Sequence, residues 1–229
     1  MRKSLVRAVC SMGVLAALLH APLAQSEAGS GAWLAVAERD GVRVSQQIRP
    51  GRALPAVRAT VEIAAGLYEV LAVIVDVPNQ TRWINNCEET RVLSSDADLR
   101  ATFYLRMGSP WPVWDRDAVL TSQTRFIDAS HTLTEFHIDP DAAVDVVEGV
   151  VRMPRLEGHY ALEALGPQRT RVEYELDLDA GGALPNWVAV RATRDDPLET
   201  MRKLRGRVAE TRGSYLEFVK RWTPQPTQP

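Results

Sequence analysis

The triplet Asp115-Arg116-Asp117 is the part of the sequence whose residue types could most readily do chemistry. Carboxylates serve as general acids and bases, so one interpretation is catalytic. The alternative is structural, because an arginine between two carboxylates at a strand start is typical of an ion pair that fixes a corner. Pro110 and Pro112 restrict the backbone just before the triplet, which favours the corner. The predicted corner comprises Trp111, Trp114, Asp115, Arg116 and Asp117, with the two tryptophans as large apolar anchors at the turn.

The other reactive residue types do not form a recognisable catalytic or metal-binding pattern. Three histidines fall in predicted strands without the spacing of a metal site; these are His131, His137 and His159. The acidic run at 139–145 is typical of a solvated loop, and Cys87 of a small buried hydrophobic residue. The sequence contains no G-x-S-x-G motif and no glycine-rich phosphate loop. We therefore predict no catalytic residue, no metal site and no cofactor.

The first 28 residues have the pattern of a signal peptide. Basic residues at positions 2, 3 and 7 precede an apolar stretch at 8–19, which is too short to span a bilayer. Cleavage is predicted after Ala24 or Ala28, and Cys10 lacks the sequence setting of a lipoprotein. We expect a periplasmic or secreted protein, the alternative being an uncleaved N-terminal anchor. Cleavage would leave Cys87 as the only cysteine, which excludes an intrachain disulfide.

The composition is that of one globular domain. The chain has 229 residues, of which 45% are hydrophobic and 24% charged. The net charge of −2 gives no indication of a nucleic-acid partner. We assign the domain to residues 31–222 and predict a disordered tail at 223–229.

The period of the hydrophobic residues predicts the elements of this domain. Residues 31–39 predict a short helix, and a hairpin of two strands follows at 42–48 and 56–63. Residues 67–77 are apolar enough for a strand, but the spacing of their aliphatic residues favours a helix. Six further strands are predicted at 87–94, 99–107, 118–127, 131–138, 150–165 and 170–178. A short apolar segment at 187–192 precedes one long amphipathic helix at 195–222.

The order of these elements predicts the fold class. Strands that follow one another without intervening helices form an antiparallel sheet, and a sheet of this length must curl. A long helix with one apolar stripe must pack against something. We therefore predict an α+β fold in which a curved antiparallel sheet wraps around the C-terminal helix and encloses a hydrophobic cavity.

Four segments carry a resemblance to a known family. They are W-L-A-V-A-E-R-D-G-V-R-V at 33–44, the helix ending at Asp76 with Trp83 after it, P-W-P-V-W-D-R-D at 110–117, and D-A-G-G-A-L-P-N-W-V at 179–188. In this order the sequence resembles an exported bacterial member of the START (StAR-related lipid transfer) domain family of the helix-grip, Bet v-like superfamily. The resemblance implies a hydrophobic tunnel for one lipid, covered by the C-terminal helix and by the loop before Asp117. In this context Trp111 and Trp114 are expected to plug the tunnel edge or to touch a membrane. Sterol-binding relatives place an acidic and a basic residue in the tunnel, whereas the matching positions here are Phe103 and Ser122.

Candidate ligand contacts are apolar residues of two strands and of the C-terminal helical region, with two polar residues among them. Each could equally be part of an ordinary core, but polar side chains near the centre of the sheet favour a cavity. The candidates are Phe103, Leu105, Val119, Thr121, Gln123, Trp187, Val190, Met201, Leu204 and Val208.

Three functions fit these observations. The first is binding or transfer of one apolar ligand, such as a sterol, a phospholipid or a fatty-acyl lipid. The second is a helix-grip enzyme, of cyclase or hydrolase type, that acts on an apolar substrate in the same cavity. The third is an interaction domain whose cavity is filled by side chains. We favour the first, in a monomer that contacts a membrane transiently and binds no nucleic acid.

Overall fold

Ten strands form one curved sheet in the computed structural model, which describes residues 31–224. The predicted signal peptide (1–28) and the last five positions of the predicted tail lie outside the described residues. The strands are β1 (Leu34–Arg39), β2 (Val42–Gln47), β3 (Ala56–Ile63), β4 (Cys87–Ser95), β5 (Arg100–Met107), β6 (Asp115–Phe126), β7 (His131–Ile138), β8 (Val150–Arg152), β9 (Arg155–Gly166) and β10 (Arg169–Asp179). Their order in the sheet is β1-β2-β3-β10-β9-β7-β6-β5-β4. All neighbours on this path are antiparallel, and β8 pairs with β6 in parallel.

The helices lie on the concave side of this sheet or at its ends. They are α1 (Leu67–Val75), a 3₁₀ helix (Val77–Arg82), α2 (Asn186–Val190), a π-helical turn (Arg191–Asp195), α3 (Asp196–Glu210) and α4 (Leu216–Trp222). Helix α3 packs on β2, β3 and α1. Within residues 31–224 none of these helices is long and apolar enough to cross a membrane. The predicted α+β helix-grip architecture is confirmed.

The core forms between α3 and the alternating inward residues of the first strands. Met201 and Leu204 are fully buried, and Val57, Ala59 and Val61 of β3 are buried with them. Burial of each large aliphatic side chain stabilises the fold by roughly 1.5–3 kcal/mol. This packing fixes α3 against one half of the sheet and leaves the other half to form the wall of a cavity.

Helix α1 occupies the segment whose period favoured a helix over a strand. Its N-terminus is closed by Glu69, whose Oε2 accepts a hydrogen bond of 2.9 Å from the backbone N–H of Gly66. Val70, Leu71 and Ile74 are buried on the core side. Because the apolar face of α1 covers one end of the curved sheet, it closes the cavity there.

Residues 31–39 do not form the predicted helix. Leu34–Arg39 is strand β1, which pairs with β2 so that Arg39 lies opposite Val42. The two residues between these strands have positive φ angles, 52° at Asp40 and 75° at Gly41. Such a two-residue turn joins antiparallel strands directly, and it therefore selects a hairpin over a helix.

Two further boundaries differ from the predictions. The strand predicted at 150–165 is divided into β8 and β9, because Pro154 has no N–H to donate to a sheet ladder. The C-terminal helix begins at Asn186, contains the π-helical turn and ends at Glu210. Gly213, with a φ of 78°, lies in the turn that separates α3 from α4.

Candidate ligand cavity

A cavity of about 180 Å³ lies between the concave face of the sheet and the helices. Its wall comes from β5, β6, β7, β9 and β10, from α1 and the 3₁₀ helix, and from residues 184–200, which we call the covering segment. Most of the lining side chains are aliphatic or aromatic. The cavity therefore suits a largely apolar ligand.

Three aromatic rings form one wall of the cavity. Tyr160 and Tyr174 face each other across β9 and β10, with ring centroids 4.7 Å apart and nearly parallel planes. Phe136 of β7 lies 6.0 Å from Tyr160, and Trp83 meets Tyr160 edge-on from outside the lining at 6.0 Å. Burial raises the pKa of both tyrosine hydroxyls above their usual value, so the two phenols stay neutral.

Gly158 makes room for this aromatic wall. A Cβ at Gly158 would lie 2.8 Å from Cζ of Phe136 and 2.1 Å from the carbonyl oxygen of Glu175. Real Cβ atoms do not approach other atoms so closely, so a side chain here would displace Phe136 or the backbone of β10. A glycine at this position lets the Phe136 ring lie over β9.

Three charged residues line the cavity: Arg116, Arg191 and Asp196. Asp196 Oδ1 accepts hydrogen bonds from the side-chain amides of Asn85 at 2.8 Å and Asn86 at 2.9 Å, and Arg191 Nε lies 3.6 Å away. Burial raises the pKa of Asp196, while the Asn85 amide and Arg191 oppose that rise. The negative charge of Asp196 is therefore already held by protein groups.

Arg116 is a buried guanidinium, with 5% of its surface exposed. Its Nη1 donates to the carbonyl of Trp114, and its Nε and Nη2 lie 3.4 and 3.5 Å from the carbonyls of Ala180 and Gly181. Within residues 31–224 no carboxylate forms an ion pair with it. The hydrogen-bond partners of this positive charge are thus all neutral carbonyl groups.

The predicted corner is held by a different ion pair from the one that the triplet suggests. Asp117 points to the convex side, where its Oδ1 lies 2.7 Å from Arg152 Nε of β8. Asp115 Oδ1 accepts a 2.9 Å hydrogen bond from the backbone N–H of Ser109. Successive side chains of a strand alternate between faces, so Arg116 points inward between these two carboxylates. Trp111 and Trp114 are 90% and 63% exposed and do not plug the tunnel.

The structure places only part of the predicted ligand set at the cavity. Phe103 and Leu105 line it. Val119, Thr121 and Gln123 lie on the convex face, because Phe103 pairs with Leu120 in the β5–β6 register. Directly paired residues share a face, so the neighbours Leu120 and Ser122 line the cavity instead. The prediction therefore chose the wrong face of β6, the one opposite the cavity.

The predicted helix residues divide into two groups that both miss the cavity. Met201, Leu204 and Val208 are buried in the core under β2 and β3. Trp187 and Val190 are partly exposed, and their neighbours Val188, Arg191 and Ala192 line the cavity. The helix starts earlier than predicted and contains a π turn, so its inward face differs from that of an uninterrupted α-helix.

Sequence reasoning missed the polar and aromatic residues that distinguish this cavity. Asp196 lies at the start of the helix predicted at 195–222, where a carboxylate is typical of a helix N-terminus and gives no sign of a cavity position. Tyr160 and Tyr174 each occupy an alternating position of a strand, which gave a usable signal for their inward face. Nothing in their spacing predicted that they stack on each other across β9 and β10.

The reactive residues outside the cavity have structural surroundings. His159, Glu173 and Glu175 lie within 4.8 Å of one another on the convex face. Arg58 lies 3.5 Å from Glu173 and 2.9 Å from Glu175, and Arg49 lies 2.7 Å from Glu175, so this cluster is an ion-pair network. His131 is exposed beside Asp128, and Cys87 is buried with its thiol pKa raised to about 12.

Comparisons with known proteins agree with this architecture. Residues 63–205 match the family described as polyketide cyclase / dehydrase and lipid transport. The chain is 30% identical over 201 residues to an uncharacterized protein of Pseudomonas aeruginosa, covering 87% of this chain and 97% of that protein.

Two solved structures share the fold. The STAR-related lipid transfer protein of Xanthomonas axonopodis has a TM-score of 0.70 and 24% identity, with 77% of this chain and 98% of that chain covered. Human STARD10 has a TM-score of 0.69 and 19% identity, with 84% and 79% covered. The resemblance inferred from the four sequence segments is confirmed. With its START-type helix-grip fold, the chain belongs to the polyketide cyclase / dehydrase and lipid transport family.

Proposed function

We propose that this protein binds one lipid in the cavity and carries it between membranes or to a partner. The observation that carries the proposal is a cavity with a mainly aliphatic and aromatic wall between the sheet and the covering segment. Contact with an apolar wall stabilises a ligand by about 25 cal/mol for each Å² of apolar surface removed from water. The family description, which includes lipid transport, supports the same ligand class.

The size of the cavity favours a ligand with a single chain. Its volume of about 180 Å³ lies below the roughly 300–1,000 Å³ of most small-molecule sites. A lipid with two acyl chains would require movement of the covering segment away from the sheet. We therefore propose a single-chain lipid as the ligand.

Exposed tryptophans close to the cavity support a transient membrane contact. Trp111 and Trp114 lie in the loop between β5 and β6, whose residues Ser109 and Pro110 line the cavity. Trp187 is 51% exposed on α2, next to the lining residue Val188. Tryptophan side chains favour the membrane–water interface, so these three residues are proposed to place the cavity against a bilayer during loading.

A paired substitution tests lipid binding. Ser122 lines the cavity and the adjacent Gln123 lies on the convex face of the same strand. Ser122→Phe should fill the cavity and lower the affinity for a fluorescent fatty acid at least tenfold, while Gln123→Phe should leave it within about twofold. Native mass spectrometry of the wild-type protein purified from a membrane-containing lysate should show a lipid adduct. A lipid-free mass together with no fatty-acid binding would refute the proposal.

A catalytic function in the same cavity is a second candidate. Asp196 lies near enough to Tyr174 to contribute to its raised pKa, so a carboxylate and a phenol share this space. Turnover of a bound ligand that Asp196→Asn abolishes without weakening ligand binding would support an enzyme. Unchanged ligand recovered after prolonged incubation would support a carrier.

The signal pattern at 1–28 supports a periplasmic or secreted location. N-terminal sequencing of the protein from a periplasmic fraction should begin at Gln25 or Gly29. Recovery of the uncut chain with the membrane fraction would instead support an N-terminal anchor.

A further inference from the structure

We propose that the ligand is an amphiphile with an anionic head group, and that Arg116 binds this head group at one end of the cavity. The inference rests on the proposed lipid-binding function and specifies the class of ligand. The recognised chemistry is one oxyanion, either a carboxylate or a phosphate ester, attached to a single apolar chain.

The side chains that line the cavity carry more positive than negative charge. Arg116 and Arg191 contribute two positive charges and Asp196 one negative charge, so the lining is positive by one charge. Asp196 is held by Asn85, Asn86 and Arg191. No carboxylate of the described residues lies within 4.0 Å of the Arg116 guanidinium, and the neighbouring Asp115 attracts it only from a longer distance. A neutral ligand that displaces water from the cavity would leave this charge buried and unpaired, which is strongly unfavourable.

The hydrogen bonds that Arg116 forms within the protein leave part of its donor capacity unused. A guanidinium has five N–H donors, arranged to bind two oxygens of an anion side by side. Arg116 uses one donor well, on the carbonyl of Trp114. Its contacts with the carbonyls of Ala180 and Gly181, at 3.4 and 3.5 Å, are at the long limit for a hydrogen bond. Donor capacity therefore remains for an oxyanion, and charge-assisted bonds of this kind are the stronger ones.

Arg116 lies at one end of the row of β6 side chains that line the cavity. Arg116, Leu120 and Ser122 all line the cavity, and Ser122 lies six positions after Arg116 in the strand, a distance of about 20 Å at roughly 3.3 Å per residue. Met107 faces Arg116 across the β5–β6 ladder, whereas Phe103 faces Leu120. The cavity thus has a cationic end at Arg116 and an apolar stretch of wall at Leu120 and Phe103, with Ser122 beyond it, as a head group and a chain require.

Three ligands with the same twelve-carbon chain test the inference on the lipid-free protein by calorimetry at pH 8: dodecanoate, dodecyl phosphate and dodecanol. The wild type should bind at least one of the two anions tenfold or more tightly than dodecanol. The tighter of the two identifies the carboxylate or the phosphate as the preferred head group. Arg116→Met should remove this preference by weakening anion binding, whereas dodecanol should bind at least as tightly as it does to the wild type, because no unpaired charge is left for it to bury. Arg106→Met, on the convex face of β5, should change neither affinity.

The outcomes separate this inference from the proposed function. Failure of all three ligands to bind the wild type refutes the lipid-binding function. Equal binding of dodecanol and both anions refutes only the anionic head group, as does an Arg116→Met variant that keeps the anion preference. Should a thermal melt show that Arg116→Met is unfolded, the same titrations are made with Arg116→Gln, whose amide can still donate to the carbonyl of Trp114. This variant should likewise lose the preference for the anions. Asp196→Asn should strengthen anion binding several-fold, because it makes the lining more positive.

Discussion

Asp117 and Arg152 form a two-pronged ion pair that joins β6 to β8. Arg152 Nε lies 2.7 Å from Asp117 Oδ1, and Nη2 lies 3.2 Å from Oδ2. The carboxylate is 1% exposed, whereas 29% of the arginine side chain remains accessible. Arg152 also donates to the carbonyl of Asp145 at 3.2 Å, so the pair holds the loop before β8 against the convex face.

The unequal burial of the two partners predicts unequal costs of removing them. Arg152→Met leaves the buried carboxylate of Asp117 without its counter-charge, and we expect it to lower the free energy of unfolding by about 3–5 kcal/mol. Asp117→Asn leaves a guanidinium that water can still reach, and we expect a loss of about 1–3 kcal/mol. Urea unfolding of the two variants measures this difference. Equal losses, or a larger loss for Asp117→Asn, would contradict the assignment.

Gly158 and Gly206 are expected to respond in opposite directions to alanine. Gly158→Ala places a methyl group against the backbone of β10 and the Phe136 ring, and should destabilise the fold by about 1–3 kcal/mol. Gly206 lies within α3 and its Cβ would meet nothing within 4 Å, so Gly206→Ala should stabilise by about 0.5–1 kcal/mol. Thermal melts of both variants test the pair. A neutral Gly158→Ala would show that the aromatic wall can move freely.

Cys87 should be unreactive in the folded protein. Burial raises the pKa of its thiol to about 12, so the reactive thiolate is scarce at pH 8. We expect iodoacetamide to leave Cys87 unmodified in native buffer and to modify it in denaturing urea, as read by mass spectrometry of the peptide that contains it. Rapid modification in native buffer would show that β4 opens locally at the edge of the sheet.

Trp111 should contribute to membrane contact and not to stability. Its side chain is 90% exposed, so Trp111→Ser should change the free energy of unfolding by no more than about 0.5 kcal/mol. Partition onto lipid vesicles should fall several-fold. Leu34→Ser, which removes another exposed apolar side chain on edge strand β1, is the control and should leave partition unchanged. Equal effects of the two substitutions would refute a specific role for the β5–β6 loop.

Local patterns in the sequence predicted most of the fold. The alternation at 56–63 predicted β3, and the spacing of Leu67, Val70, Leu71 and Ile74 predicted α1. The prediction of a helix at 31–39 was wrong because a short apolar run is compatible with either a helix or a strand. The Asp40-Gly41 turn after it was the signal that should have decided for a hairpin.

The composition of the cavity could be predicted only in part, because it depends on relations between distant strands. Alternation shows that Val119 and Leu120 lie on opposite faces, but only the β5–β6 register shows which of them shares a face with Phe103. Asp196 meets Asn85 across 111 positions of sequence. No local pattern carries that contact, and the same holds for the stacking of Tyr160 on Tyr174.

The π-helical turn divides one continuous helix into two parts, one that lines the cavity and one that packs in the core. An α-helix advances by about 100° per residue, so one extra residue in a turn rotates everything beyond it by that angle. The side chain of Gln46 bonds the carbonyl and hydroxyl of Thr193 at 2.8 and 3.0 Å and braces this junction. Substitutions before the junction should therefore change the shape of the cavity without loosening the core, because Met201 and Leu204 beyond it hold the helix against the sheet.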